Sequence, residues 1–402
     1  MAGAAGGNAR DMKNANRLQV LQLVCTGGPM SRAEVCRRTG LTRMTAANIT
    51  ADLAAAGLLC EQTAARRGAG AGRTPGLLCL ADRSPCVAGI FVGRRHCSVL
   101  ICDLAAVVQT ERSWAYEGTL TGERLIEAIC ALFVQARRDC GRPLAGAGIS
   151  ALGPASAATG TLLAPPNFYG IRDLPLRELL APRLGLPCAL IHDCSAGALA
   201  EQLYGSGRGL DNFIYLHIRD GISAGLVAGG ELLEGAAGLA GELGHLSIRF
   251  DGPLCPCGNR GCLELYANEQ TAAADYLRLL GHSGAPVPAQ APAFADLVGA
   301  ASAGDGIAAR ALDSFAGYVA AALTSCINLV DAHRVFVGHR GEGDALEQLL
   351  ESKVNSRLLA ADSRHVRVEH SRFGARAPVL GAAALAARQV FTGAWPVLEW
   401  EK

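Results

Sequence analysis

The sequence predicts an α/β body carrying a small basic helical head. Three observations carry that expectation: strands alternate with amphipathic helices from Val87 onward, Lys and Arg crowd the first 80 residues, and one histidine and three cysteines fall within eighteen residues near mid-chain. Alternation of strands and helices is the pattern of an α/β domain. The length of 402 residues allows two or three domains with a sizeable core. No run of eighteen uncharged apolar residues offers a membrane span, and the N-terminus lacks the apolar segment of a secretory signal. The fifteen cysteines are odd in number and mostly embedded in apolar stretches such as LLCL and LICDL. They read as small buried hydrophobes in a reducing cytoplasm.

Charge separates the head from the rest. Residues 1–80 hold ten Lys and Arg against four Asp and Glu, a net of +6; the whole chain carries +1, so the remainder carries −5. A basic module on a mildly acidic body suits a polyanion partner. Residues 1–13 are expected to be disordered, with the head over 14–81. Leu18, Leu21 and Val24 recur at helical spacing, and T-G-G-P ends the pattern. Ser31 and Glu34 then form a capping box, S-R-A-E, in which the hydroxyl caps the backbone and the glutamate reaches back. That helix stops at Thr39-Gly40, and Thr42 caps another that runs to Gly57. Two helices joined by a short glycine-containing turn make a helix-turn-helix whose second helix suits the major groove. Two apolar strands flanking A-A-R-R-G-A-G-A-G-R-T-P complete a wing. Candidate DNA contacts are Ser31, Thr42, Arg43, Thr45 and Asn48, with Arg66, Arg67 and Arg73 on the wing. A winged helix that binds protein would share the pattern.

In the body, V-A-G-I-F-V, C-S-V-L-I-C-D-L and V-V-Q-T-E-R-S read as a three-stranded meander, followed by a helix over Gly122–Cys140. A-G-A-G-I-S-A-L-G-P and P-C-A-L-I-H-D are further strands, as is N-L-V-D-A-H-R-V-F-V-G-H near the end, and Gly281 to Pro292 reads as a loop. Asp193 ends one strand, where carboxylates commonly face ligands, although a helix cap would look the same.

The densest chemistry lies between Glu242 and Glu264. His245, Cys255, Cys257 and Cys262 follow the spacing H-x9-C-x-C-x4-C. Zinc takes four N or S donors in a tetrahedron, and Cys₃His is a recurrent closed set. A disulfide would leave one of the three thiols unpaired. The expected cofactor is one structural Zn²⁺.

G-E-L-G-H followed by C-P-C-G-N-R-G-C-L-E resembles the zinc signature of the ROK group of sugar-responsive repressors and sugar kinases. The head, N-R-L-Q-V-L through G-R-T-P, is similar to that of the ROK repressors, which the kinases lack. The resemblance covers nearly the whole chain after Lys13. It implies the two-lobed actin-like ATPase fold: a small lobe over 82–194 completed by the C-terminal helix within 375–402, and a large lobe with the zinc loop over 195–374. It further implies that Asn167, Asp193, Glu242, His245 and Glu264 meet a sugar. His245 would serve metal and sugar together, and Asp193 would be the catalytic base were the chain a kinase. The His192 that precedes Asp193 is shared with the glucose- and N-acetylglucosamine-responsive repressors.

The departures concern ATP. Kinases of the group carry D-x-G-G-T, whose backbone approaches phosphate and whose Asp organises Mg²⁺. Here Phe91 stands for the Asp, and Arg94 and Arg95 for Gly and Thr. The second phosphate loop reads R-D-G-I-S-A-G, with Asp220 in place of a small residue, and a third glycine pair reads G-H-R-G. Retained sugar residues beside degraded phosphate loops imply a sensor without kinase activity. The expected protein is a cytoplasmic repressor that binds operator DNA as a dimer or tetramer and responds to a sugar or sugar phosphate. The alternative is a hexose kinase fused to a DNA-binding head.

Overall fold

A computed structural model describes residues 9–63, 76–219, 221–359 and 361–396. Arg66, Arg67, Arg73 and Asp220 lie outside them. In the head, α1 (Ala9–Gly27) precedes β1 (Met30–Ser31), α2 (Arg32–Thr39), α3 (Arg43–Ala55), β2 (Leu59–Thr63) and β3 (Gly76–Leu80). Residues 9–13, expected to be disordered, are thus helical, and Lys13 and Arg17 on α1 hold Asp52 of α3 at 2.9 and 2.5 Å. The three strands pair in the order β1-β3-β2, both pairings antiparallel. Ser31 caps α2 through the Glu34 amide at 3.2 Å, but the expected capping box does not close. The Glu34 carboxylate turns instead to Arg37, one turn on, where a charge-assisted fork outcompetes a single backbone N–H.

The first lobe holds β4 (Cys86–Val92), β5 (His96–Asp103), β6 (Val108–Ala115), α4 (Gly122–Cys140), β7 (Leu144–Ala151), the short pair β8 (Ala155–Ser156) and β9 (Thr161–Leu162), α5 (Leu176–Leu184) and β10 (Cys188–His192). After the central α6 (Asp193–Tyr204), the second lobe holds β11 (Phe213–Ile218), β12 (Ile222–Ala228), β13 (Glu231–Leu232), α7 (Glu269–His282), α8 (Phe294–Ser302), α9 (Gly306–Val330), β14 (Arg334–Gly338), α10 (Ala345–Asn355) and β15 (Arg367–His370). Helix α11 (Ala377–Phe391) returns to pack on β4 and β7 and against α6.

The sheets run β10-β7-β4-β5-β6 and β13-β12-β11-β14-β15. In each, the first strand of the lobe is central, the next two pair antiparallel on one side, and the last two pair parallel on the other. The two lobes are therefore one topology used twice, the actin-like ATPase fold. Two sequence boundaries move. Asn328–Val330, read as strand, close α9, and Asp331 with φ 54° ends that helix. Gly281 and His282, read as loop, finish α7. Helix α9 is long and apolar enough to cross a membrane by composition, but Leu312, Phe315, Val319 and Leu323 sit in the second-lobe core.

Head and body share apolar contacts. Val20, Leu21 and Val24 of α1 belong to one continuous cluster with Phe91 and Leu100 of the first sheet and with Val379 and Val390 of α11.

Candidate functional site

Short backbone bridges, Ser247 with Cys262 and Leu254 with Arg260, fold the zinc-type loop back on itself. Gly261 permits the tightest pass: at φ 64°, a Cβ there would come within 1.7 Å of the Arg249 carbonyl. His245 leaves a 3-10 turn (Leu243–His245) with Nδ1 at 3.8 Å from Cys255 Sγ, and Cys257 and Cys262 Sγ are 3.7 Å apart. All four donor atoms lie within 4.8 Å of one another. A tetrahedron with metal–sulfur bonds of about 2.3 Å has edges of about 3.8 Å, so the set fits a metal ion of that size. Burial opposes ionisation of Cys257, yet hydrogen bonds from the Asn259 amide and the neighbouring thiols hold it below the ordinary thiol range. All fifteen cysteines are free thiols.

Beside this cage, Asp193 opens α6 at the carboxyl end of β10 and is 8% exposed. His192 Nε2 stands 3.3 Å from its Oδ1, and His217 Nε2 3.8 Å from its Oδ2. Glu242 Oε1 is 3.8 Å from His192 Nε2 and has no hydrogen-bond partner among the described residues. Such a buried acceptor is costly to leave unmet, which points to a ligand donor. Glu264 is accommodated by Gly221 and Gly244, where a Cβ would come within 3.1 and 2.9 Å of its carboxylate. Burial disfavours a charged His192, but the Cys194 sulfur and the carboxylates of Asp193 and Glu242 push its pKa up to about 10.

Asp193, Glu242, His245 and Glu264 thus line one cavity of about 80 Å³. Asn167, at φ 54°, stands apart from it. It lines two adjoining recesses of about 300 and 670 Å³, both of which share His245 with the cavity. Four of the five expected ligand residues therefore converge, and the fifth rims the same cleft. His217 and Arg219, which also line it, escaped the sequence reading. A polar pair closing the buried strand F-I-Y-L-H-I-R was the available signal.

Among the described residues, several positions read as degraded phosphate loops are filled. Phe91 is 4% exposed, with its ring 5.4 Å from the Arg219 guanidinium. Arg94 donates to the Pro166 carbonyl. In G-H-R-G, His339 Nε2 meets Glu347 Oε1 at 2.9 Å while its Nδ1 accepts the Gly341 amide at 2.9 Å.

On α3 the expected DNA-facing residues divide by burial. Ala46, Ile49, Thr50 and Leu53 face the core, while Thr42, Arg43 and Asn48 are exposed and Thr45 half-buried. Thr42 caps the helix through the Thr45 amide at 3.2 Å, so Thr42 and Ser31 each have a structural task.

A duplicated actin-like body with a cleft of carboxylates and a Cys₃His loop beside it defines the class of this protein. Residues 87–389 match the model of the ROK family, and the chain belongs to that family. It is 28% identical over 395 residues to a putative xylose repressor of Caldicellulosiruptor sp. (strain Rt8B.4), covering 94% of this chain and 97% of the relative. A ROK family transcriptional regulator, homologous to the E. coli Mlc protein, superposes with a TM-score of 0.76 at 24% identity over 95% of this chain and 97% of its own. A ROK family glucokinase from Streptomyces griseus, solved with glucose and AMPPNP, superposes with a TM-score of 0.67 at 27% identity over 75% of this chain and 99% of the kinase.

Proposed function

We propose that this protein is a sugar-responsive transcriptional repressor that uses its cleft to sense rather than to phosphorylate. One observation carries the reading: the carboxylates that suit a ring of hydroxyls are gathered in one cavity, while Phe91 and Arg94 occupy the positions that a phosphate loop would need. A polyol presents hydroxyls that both donate and accept, so convergent carboxylates and an amide satisfy it. The name of the xylose repressor relative supports the same assignment. Such a regulator would work in the cytoplasm, on operator DNA, without a membrane.

In this reading His245, Cys255, Cys257 and Cys262 hold one Zn²⁺, which supplies a rigid anchor for the loop bearing Glu242 and Glu264. With Nδ1 facing the thiols, His245 keeps Nε2 for a sugar hydroxyl, oriented by its other partner. Arg43, Thr45 and Asn48 read the major groove, and the wing arginines meet phosphate or the minor groove. A two-fold dimer, or a pair of dimers, would match a palindromic operator. Ligand shifts the population toward a closed cleft, and the altered placement of the heads no longer fits the half-site spacing.

Two measurements test this. Operator fragments from upstream of the gene, titrated by fluorescence anisotropy with a panel of sugars, should be released by a specific sugar. A coupled ADP-release assay over hexoses should show no turnover, and turnover abolished by Asp193→Asn would establish the kinase instead. Cys257→Ser is expected to lose metal by elemental analysis, lower the melting temperature and weaken the sugar response together. Full metal content with an unaltered response would refute the role given to the cage.

A further inference from the structure

Residues 81–85 join the head to the body, running from the end of β3 at Leu80 to the start of β4 at Cys86. The end of α4 and the residues after it clamp this junction at three points. Arg142 donates to the Ser84 carbonyl at 2.6 Å and to its hydroxyl at 3.0 Å. The Cys86 amide donates to the Pro143 carbonyl at 2.8 Å. The third point is sulfur: Cys140, the last residue of α4, places its Sγ 3.9 Å from that of Cys86, 54 residues away in sequence. Both are free thiols. The sulfurs need approach by only about 2 Å to bond, a step that rotation of two short side chains covers.

The two thiols are unequal. Cys86 is fully buried, whereas Cys140 is half-buried at a helix end. Burial, and next the neighbouring Cys140 sulfur, push the Cys86 thiol up to about 12, so it stays protonated as well as shielded from a bulky reagent. Cys140 is the thiol that a soluble disulfide can meet.

We infer that Cys86 and Cys140 form a reversible redox site, in which a small disulfide such as oxidised glutathione closes a Cys86–Cys140 bond at the junction of head and body. The Cys140 thiolate attacks one sulfur of oxidised glutathione, forming a mixed disulfide and releasing one glutathione thiolate. The Cys86 sulfur then attacks the Cys140 sulfur, its proton passing to the second glutathione as that leaves. Two protein thiols are oxidised and one disulfide is reduced to two thiols, so the exchange balances. A reducing thiol pool keeps the pair open. Once closed, the bond adds a covalent tie to the hydrogen bonds that hold the junction, and so restricts how the head is placed. That consequence for DNA binding rests on the repressor reading above; the disulfide itself does not.

The full, zinc-loaded chain, equilibrated with glutathione buffers of rising oxidised fraction, blocked with an alkylating reagent and mapped by peptide mass spectrometry, tests the site. The parent should yield a Cys86–Cys140 cross-linked peptide that dithiothreitol removes. Cys140→Ser changes only a half-buried position and is expected to fold, as circular dichroism would verify; it should leave Cys86 unmodified. Cys86→Ala should instead accumulate glutathione on Cys140, because nothing resolves the mixed disulfide. Two free thiols in the fully oxidised parent, glutathione retained on Cys140 in the parent, or glutathione on Cys86 in folded Cys140→Ser overturns the inference. Operator affinity by gel shift should differ at least about threefold between reduced and oxidised parent, and not in Cys140→Ser. Equal affinities in the two parent forms, or the same difference in Cys140→Ser, overturns the role given to the junction. No operator binding by the reduced parent overturns the repressor reading and leaves the disulfide standing.

Discussion

Glu347, on α10, holds two histidines with one oxygen: His339 Nε2 and His370 Nδ1 both lie 2.9 Å from its Oε1. Burial alone would raise its pKa, but the two hydrogen bonds bring it down from 4.5 to about 2. A carboxylate with a lowered folded value contributes stability that is complete above pH 4.5 and lost as pH falls toward 2. Glu347→Gln should therefore destabilise the protein by about 2 kcal/mol at neutral pH, where a paired buried charge is replaced. In melting curves its loss of stability on acidification should be shallower than that of the parent. An identical acid limb would show that the triad does not contribute. His192 works in the opposite sense: with its folded value raised from 6.5 to about 10, its contribution is complete below 6.5 and lost as pH rises through 10. The Glu347 cluster escaped the sequence reading because its members stand on different elements; nothing in G-H-R-G alone points to a glutamate eight residues on.

Among the elements, α3 was legible nearly to its ends. Its cap, its glycine-bounded termini and its small-residue face are all local signals, and Thr42 does cap it. Arg43 and Asn48 are exposed, unlike Ala46, Ile49, Thr50 and Leu53. Asn48→Ala and Arg43→Ala should each weaken operator binding by gel shift, by about tenfold for a base contact, with the melting temperature unchanged. A loss of stability without a loss of DNA affinity would return α3 to a purely structural role. Thr42→Ala should differ in kind, costing about 1 kcal/mol of stability because the first-turn amide loses its acceptor. The Cys₃His loop was equally readable, since its four donor residues lie close in sequence. The strand start at Arg334 was not: Asn328–Val330 are apolar enough for either state, and only the packing of α9 decides for helix.

For the whole molecule, the continuous apolar cluster is the feature that gives the head a mechanical tie to the cleft. Phe91, beside Arg219 at the cavity wall, shares that cluster with Leu21 and Val24 of α1. Leu21 is fully buried, so Leu21→Ala should cost about 2–5 kcal/mol. A smaller cut, Val24→Ala, should leave the chain folded but blunt sugar-dependent operator release while retaining sugar binding. Release identical to the parent would mean that the head responds through another contact. The tie could not be read from sequence, because each residue in it also fits an ordinary local core position.

By itself the sequence determined what is local: caps, turns, strand alternation, the basic head and the Cys₃His cluster, each set by neighbours within a few turns of chain. Tertiary structure decided what depends on distant segments meeting. The duplicated strand order of the lobes and the meeting of Asp193 with Glu242 and Glu264 in one cavity both belong there. The physical reason is that backbone hydrogen bonding and side-chain shape act over a few residues, whereas a cleft is defined only once burial of apolar surface has brought two sheets and a returning helix together.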